Sequence, residues 1–323
     1  MGKILVIGAG AWGTALANIL AKKNNDVYVW TRSPNVFSEI NNKSSNKKYF
    51  KNFQLSKKLQ ALTGKINVKE FDYIFYVLPA SQFENFSQLY LENQKIKNFI
   101  ICSKGLSEKG KLISELATKI LDIRKILILS GPSFAKEVIM GMPTALSLAG
   151  DTKKPLQIGK LFEDTNIRIY YSENIKTLEI LGVVKNIYAI GAGILDAMDL
   201  GENARASFIT RCASEMQFML KQSNLHDERI LSLAGIGDLV LTCSSSKSRN
   251  FLFGKMFILT RHTKKTSLKK ATVEGLNSIM TIKKVLNLKL NDLPILTSII
   301  NVVKGGSAKK EVNNLLKRKF KYE

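Results

Sequence analysis

Ile4-Leu5-Val6-Ile7-Gly8-Ala9-Gly10-Ala11-Trp12-Gly13-Thr14-Ala15-Leu16-Ala17 runs from an apolar tetrapeptide through a glycine-rich turn into helical spacing. The order strand, Gly-x-Gly-x-x-Gly, helix is what a dinucleotide-binding turn requires. Gly8 permits the tight turn, Gly10 lets a pyrophosphate approach the backbone, and Gly13 allows close helix–strand packing. Free N–H groups at the helix start, aided by the helix dipole, then hold the anion. The same residues imitate a secretory signal, because Lys3 precedes an uncharged run from Ile4 to Ala21. Three glycines, a Thr and an Asn interrupt that run and favour the nucleotide-binding reading.

Outward from this turn, short β-rich runs alternate with helical patterns. Strands are expected at Lys3–Ile7, Asp26–Thr31, Tyr73–Leu78, Asn98–Ser103, Ile126–Ser130, Thr144–Ala149 and Ile167–Tyr171. Nearly continuous apolar strands separated by helices imply a parallel sheet covered on both faces. The polar stretch Asn41–Lys58 reads as a long mobile loop. From about Ile175 strand signals vanish. Helical spacing takes over at Thr177–Ala197, Ala204–Gln222, Asn250–Leu259, Val273–Leu286 and Lys309–Arg318. The expected fold is therefore α/β. A Rossmann-like doubly wound sheet spans 1–178, and an all-helical substrate and catalytic domain spans 179–323.

Bulk properties narrow the function classes. A length of 323 residues suits two domains. The net charge of +23 is carried by lysines spread thinly among Asn and Ile, residues of A/T-rich codons. No zinc finger, RNP motif or aromatic-interleaved basic stripe accompanies them, so no specific nucleic-acid partner is expected. Cys102, Cys212 and Cys243 are scattered, which suits reduced thiols in the cytoplasm. With only His226 and His262, no metal cluster is expected. No uncharged apolar stretch elsewhere reaches the ~20 residues of a membrane span.

Where an NAD-binding sheet usually carries an acid at the end of its second strand, this chain has Thr31-Arg32-Ser33. Arg32 can pair with a 2′-phosphate, which favours NADP(H) and leaves NAD(H) open. Lys185 lies in the almost wholly apolar run Leu181–Ile190. A lysine there is either a snorkelling stem or a desolvated acid/base, and its place at the start of the second domain favours catalysis. Ser103-Lys104-Gly105 and Gly131-Pro132-Ser133 each end a strand, where ligands of open α/β sheets bind. Ser248-Arg249-Asn250 precedes an apolar run, so Ser248 caps a helix whose start suits a phosphate.

The chain resembles the bacterial-type glycerol-3-phosphate dehydrogenases from end to end. The matching motifs are Gly8–Ala17, Ser103–Leu106, Ser130–Val138, Val184–Ile194, Asn203–Arg211, Ala234–Cys243, Ser248–Asn250 and Val273–Gly275. The resemblance implies a reversible hydride transfer between NAD(P)H and dihydroxyacetone phosphate, giving sn-glycerol 3-phosphate for phospholipid synthesis. By the same resemblance Lys185 is the proton donor and acceptor. Lys104, Gly131, Ser133, Asp238, Ser248, Arg249 and Asn250 contact the substrate. Trp12, Arg32, Lys104, Ala135, Arg249, Val273 and Glu274 join Gly8, Gly10, Ala11 and Gly13 at the cofactor. Ala11 stands where the family usually has Ser, and the basic segment Met256–Lys270 departs from family composition. A small-molecule substrate is the expected partner, with a homodimer left open. The competing readings are a dehydrogenase of another hydroxy acid, and a non-enzymatic dinucleotide sensor or basic RNA-binding protein.

Overall fold

The computed structural model describes residues 2–24, 26–150, 155–260, 273–286 and 292–319. Of the basic segment, residues 261–270 lie outside those described. The chain divides into two compact units, residues 1–179 and 180–323.

Among the described residues the first unit has ten strands. They are β1 Ile4–Ile7, β2 Val27–Trp30, β3 Leu59–Leu62, β4 Tyr73–Tyr76, β5 Lys95–Ile96, β6 Phe99–Ile101, β7 Asp122–Ile123, β8 Ile126–Ser130, β9 Thr144–Gly150 and β10 Ile167–Ser172. Eight of them form one sheet in the order β10-β9-β8-β6-β4-β1-β2-β3, and β5 pairs with β7 apart from it. Every pairing in the large sheet is parallel except β8 with β9. The sheet is thus parallel as expected, with one antiparallel pairing inside it. Apolar patterning reports that both faces are buried and says nothing of strand direction.

Among the described residues six α-helices accompany these strands: α1 Ala11–Lys23, α2 Pro34–Lys43, α3 Phe83–Tyr90, α4 Ile113–Ile120, α5 Ala135–Ile139 and α6 Pro155–Gly159. The β8–β9 connection contains only α5, whose five residues span about 7.5 Å, too short to carry the chain back along the sheet. The run that imitates a signal sequence forms β1 and α1, with Ile4 to Ile7 and Ala15 to Ala17 fully buried.

The stretch Asn41–Lys58 is not the mobile loop that its polarity suggests. Its first three residues end α2. Beyond them, Leu55 N donates to Ser44 O (2.7 Å), Ser56 N donates to Asn18 Oδ1 on α1 (2.7 Å), and Phe50 and Leu55 are buried in the core. Two apolar anchors and these bonds outweigh the polar composition.

Among the described residues eight further helices follow: α7 Ile175–Ala197, α8 Gly201–Gln222, α9 Asp238–Cys243, α10 Arg249–Leu259, α11 Glu274–Ile279, α12 Ile282–Leu286, α13 Pro294–Val303 and α14 Ala308–Leu316. The single helix read over Val273–Leu286 is thus two short ones. α9 and α13 escaped the periodicity reading. α7 is long and apolar enough to cross a membrane, yet 94% of its most apolar window is buried within the protein, as in an interior helix.

Two buried carboxylates hold helix ends. Glu179, on the first turns of α7, accepts from Ile113 N (2.7 Å), Ser114 N (3.1 Å) and the Ser114 hydroxyl at the start of α4. Burial pushes its carboxyl up to about 7, against the pull of those bonds. Glu215 on α8 does the same for α13, accepting from Ile295 N (2.6 Å), Leu296 N (3.1 Å) and the Tyr188 hydroxyl (2.9 Å). Each carboxylate meets backbone N–H groups that have no intrahelical partner.

Candidate active site

In the first unit the fingerprint turn has the form that its glycines demand. Gly8 adopts φ +119°, a left-handed backbone. A Cβ on Gly13 would lie 1.8 Å from the Gly8 carbonyl oxygen, so turn and helix touch backbone to backbone. A Cβ on Gly10 would meet nothing within 4 Å, which leaves open space above the helix start. α1 has no side-chain cap on its first N–H groups and no acid in its first turn. These features fit the pyrophosphate of a dinucleotide. Ala11 and Trp12 are half-buried and pack against the core beside the turn. Arg32, just past β2, is exposed, and Ser33 after it caps α2 by accepting from Val36 N (3.4 Å).

Along the same carboxyl edge of the sheet, Lys104 Nζ donates to Gly131 O (2.7 Å). The Ser133 hydroxyl donates to the same oxygen (3.2 Å). The structure therefore brings Lys104, Gly131 and Ser133 together, with Ala135 two residues on at the start of α5.

In the second unit a denser cluster forms around Lys185, which is 6% exposed although it carries an ammonium. Its Nζ donates to Asp238 Oδ1 (2.7 Å) and to the Thr242 hydroxyl (2.8 Å). Asp238 is 1% exposed. Asp238 and Thr242 stand one turn apart on α9, and the Thr242 hydroxyl in turn donates to Asp238 O (2.6 Å). Beside them the Cys243 thiol is pushed up to about 12, chiefly by burial, and is inert as a nucleophile at neutral pH.

Close helix contact brings the next group alongside. A Cβ on Gly193 of α7 would meet Phe251 O at 1.9 Å, and one on Gly254 of α10 would meet Ile190 O at 2.0 Å. Two glycines thus let α7 and α10 cross at backbone distance. Asn250 Nδ2 donates to Asn186 Oδ1 on α7 (2.9 Å), and Asn250 Oδ1 accepts from Gly275 N (3.0 Å). That amide links the residue after Lys185 to the start of α11, where Val273 and Glu274 stand. Ser248 caps α10, accepting from Phe251 N (3.3 Å), as expected from its sequence. Arg249, the first residue of the helix, is exposed.

Asp196, near the end of α7, ties that helix to α10 through Lys255 (2.8 Å) and to α8 through Arg205 (2.9 Å). Sequence reasoning gave no role to Thr242 or Asn186. The i, i+4 spacing of Asp238 and Thr242 on one helix face was a usable signal, as was the adjacency of Asn186 to Lys185. Among the described residues no group of three or more His, Cys, Asp or Glu could hold a metal ion.

Comparison with known proteins covers nearly the whole chain. Residues 3–155 match the family described as NAD-dependent glycerol-3-phosphate dehydrogenase N-terminus, and residues 174–314 match the corresponding C-terminus. A glycerol-3-phosphate dehydrogenase (NAD(P)+) of Erythrobacter litoralis is 35% identical over 325 residues, covering 99% of this chain and 98% of the relative. One from Macrococcus caseolyticus is 35% identical over 332 residues, covering 98% of each. The crystal structure of glycerol-3-phosphate dehydrogenase from Coxiella burnetii superposes with a TM-score of 0.86 at 29% identity, over 98% of this chain and 99% of that one. A probable 2-dehydropantoate 2-reductase from Bacillus subtilis, at TM-score 0.53 and 18% identity, shares the fold alone.

Proposed function

The chain belongs to the NAD-dependent glycerol-3-phosphate dehydrogenase family and is an NAD(P)-dependent oxidoreductase of that class; we propose that Lys185 is its proton donor and acceptor. The observation that carries this reading is a buried lysine held by Asp238 and Thr242 at 2.7 and 2.8 Å.

Reducing dihydroxyacetone phosphate adds a hydride to the carbonyl carbon and a proton to its oxygen. A bound nicotinamide supplies the hydride. The Lys185 ammonium gives its proton to the oxygen, and the neutral amine takes it back when glycerol 3-phosphate is oxidised. Asp238 holds Nζ in place and balances its charge, so the lysine is loaded before substrate arrives. Lys104 adds a second positive group for the developing alkoxide, with no metal required.

Ser248, Arg249 and Asn250 hold the phosphate, with Gly131 and Ser133 completing the substrate contacts. Remote binding of that kind fixes the carbonyl for reaction. Ser248 keeps its hydroxyl proton free for this while its oxygen caps α10, and Asn250 retains one N–H beyond its bond to Asn186. Gly8, Gly10, Ala11, Trp12 and Gly13 hold the dinucleotide with Ala135, Val273 and Glu274.

Arg32 favours NADP(H) over NAD(H). Three buried, unpaired cysteines support a reducing compartment, the cytoplasm, and glycerol phosphate made there feeds phospholipid synthesis. A homodimer is compatible with this reading.

The test is to mix the purified chain with NADPH and dihydroxyacetone phosphate and follow the absorbance of the reduced nicotinamide. Oxidation is expected with this ketone. Turnover of a 2-oxo acid in its place overturns the substrate assignment.

A further inference from the structure

The polar stretch after α2 sends one side chain into the cofactor turn. Asn46 is 0% exposed. Its Nδ2 donates to the Ala9 carbonyl oxygen (3.2 Å) and to the Thr14 hydroxyl (2.9 Å). Ala9 lies between Gly8 and Gly10, and Thr14 follows Gly13, so one amide grips the fingerprint on both sides. A carbonyl oxygen only accepts, which fixes the NH2 end of Asn46 against Ala9. Asn46 Oδ1 has no partner among the described residues. The two donated bonds are therefore what this buried amide gains from its position.

The Ala9 oxygen and the Gly10 N–H belong to one planar, trans peptide, in which they point in opposite directions. Holding the oxygen on Asn46 aims the Gly10 N–H away from Asn46. Glycines on both sides of Ala9 would let that plane swing, so the turn needs a latch from outside itself. Asn46 is firmly seated for the task. Its own carbonyl accepts from Tyr49 N (3.1 Å) and Phe50 N (2.9 Å), and Phe50 is buried in the core.

We propose that Asn46 is a positioning residue for the dinucleotide pyrophosphate, latching the Ala9–Gly10 peptide so that its N–H is presented to the anion. The proposal rests on the reading of Gly8–Gly13 as the pyrophosphate cradle. Asn46 is not expected to touch the cofactor. Asn46→Asp keeps the shape, removes the donor and sets a carboxylate oxygen against the Ala9 oxygen. Asn46→Ala removes the latch without adding charge.

Calorimetric titration with ADP-ribose, which carries the pyrophosphate, reports both Kd and stoichiometry. A lost latch raises Kd about tenfold in Asn46→Ala, equivalent to ~1.4 kcal/mol, and further in Asn46→Asp, with stoichiometry held. The KM for NADPH rises in parallel, while kcat at saturating NADPH stays near wild type. A purely structural asparagine lowers stoichiometry and melting temperature and leaves Kd unchanged. That result, or a wild-type Kd in Asn46→Asp, overturns the proposal. If the wild-type chain does not bind ADP-ribose, the cradle reading falls and takes the latch with it. That outcome is distinct from wild-type binding with unaffected variants, which overturns the latch alone.

Discussion

At the fingerprint turn the groups offered to a ligand are backbone N–H groups, and the first turn of α1 carries no acid and no side-chain cap. Around Lys185 they are side chains gathered from α7, α9 and α10, residues 185 to 250, with most of their polar atoms already bonded to one another. The turn spends no charge of its own and depends on the absence of Cβ atoms. The helical cluster depends on charge buried in pairs. The two regions should therefore fail in opposite ways: the turn when atoms are added, the cluster when atoms are removed.

The largest expected effect is at Lys185. Lys185→Ala should lower kcat by roughly 10²–10⁴, the usual range for a general acid–base group, while NADPH affinity stays near wild type. Removing the ammonium also breaks the buried Lys185–Asp238 ion pair, and breaking a buried pair from one side costs about 3–5 kcal/mol of stability. Steady-state kinetics beside thermal unfolding separates the two losses. Wild-type turnover in folded Lys185→Ala removes the lysine from the mechanism.

The glycines supply the converse case. Gly13→Ala places a methyl 1.8 Å from a backbone oxygen, where no flexible side chain can yield. It should lower both stability, by about 3 kcal/mol at the upper end of overpacking costs, and cofactor affinity. Gly10→Ala meets no protein atom within 4 Å, so its methyl should leave the melting temperature intact and obstruct only the ligand. Equal thermal losses in both variants would contradict the idea that the space above Gly10 is kept for the pyrophosphate.

This contrast also explains what could be read in the sequence. The turn lies within six residues whose spacing is its geometry, so Gly8, Gly10 and Gly13 were legible directly. Lys185 stood out because a charge in an apolar helix has few explanations. Its partners were not legible from the residues alone. Asp238 was named by family resemblance and Thr242 not at all: their i, i+4 spacing puts them on one helix face, but contacts across 53 and 57 positions leave nothing local that ties that face to Lys185. Most strands were legible as apolar runs. β3 was not, because Leu59–Leu62 alternates buried and exposed residues at the edge of the sheet beside a lysine-rich stretch. Asn46 was hidden for a similar reason, since composition marked its surroundings as solvent-facing and only tertiary contacts bury it.

Arg249 tests the cluster at its exposed margin. Arg249→Ala should raise KM for dihydroxyacetone phosphate by an amount equivalent to about 1.5–3 kcal/mol, the value of a charge-assisted bond. With unphosphorylated dihydroxyacetone the same substitution should matter far less. Equal losses for both ketones would mean that Arg249 does not read the phosphate, leaving that task to Ser248, Asn250 and the N–H groups of α10.

The smallest effect is expected where neither device operates. A backbone cradle grips the pyrophosphate of NADH and NADPH alike, so discrimination between them must come from a side chain near the adenine ribose, and Arg32 is the charged residue that follows β2. It is exposed, and an exposed ion pair is worth at most about 1 kcal/mol because water and salt screen it. Arg32→Asp removes that attraction and adds repulsion of the 2′-phosphate, while a carboxylate can accept from the ribose hydroxyls of NADH. The ratio of kcat/KM for NADPH to that for NADH should therefore fall about tenfold, more at low ionic strength than at high. Added salt should shrink the proposed preference for NADPH in the same direction. A ratio that moves with neither the substitution nor salt would take cofactor choice away from Arg32 and return it to the shape of the pocket.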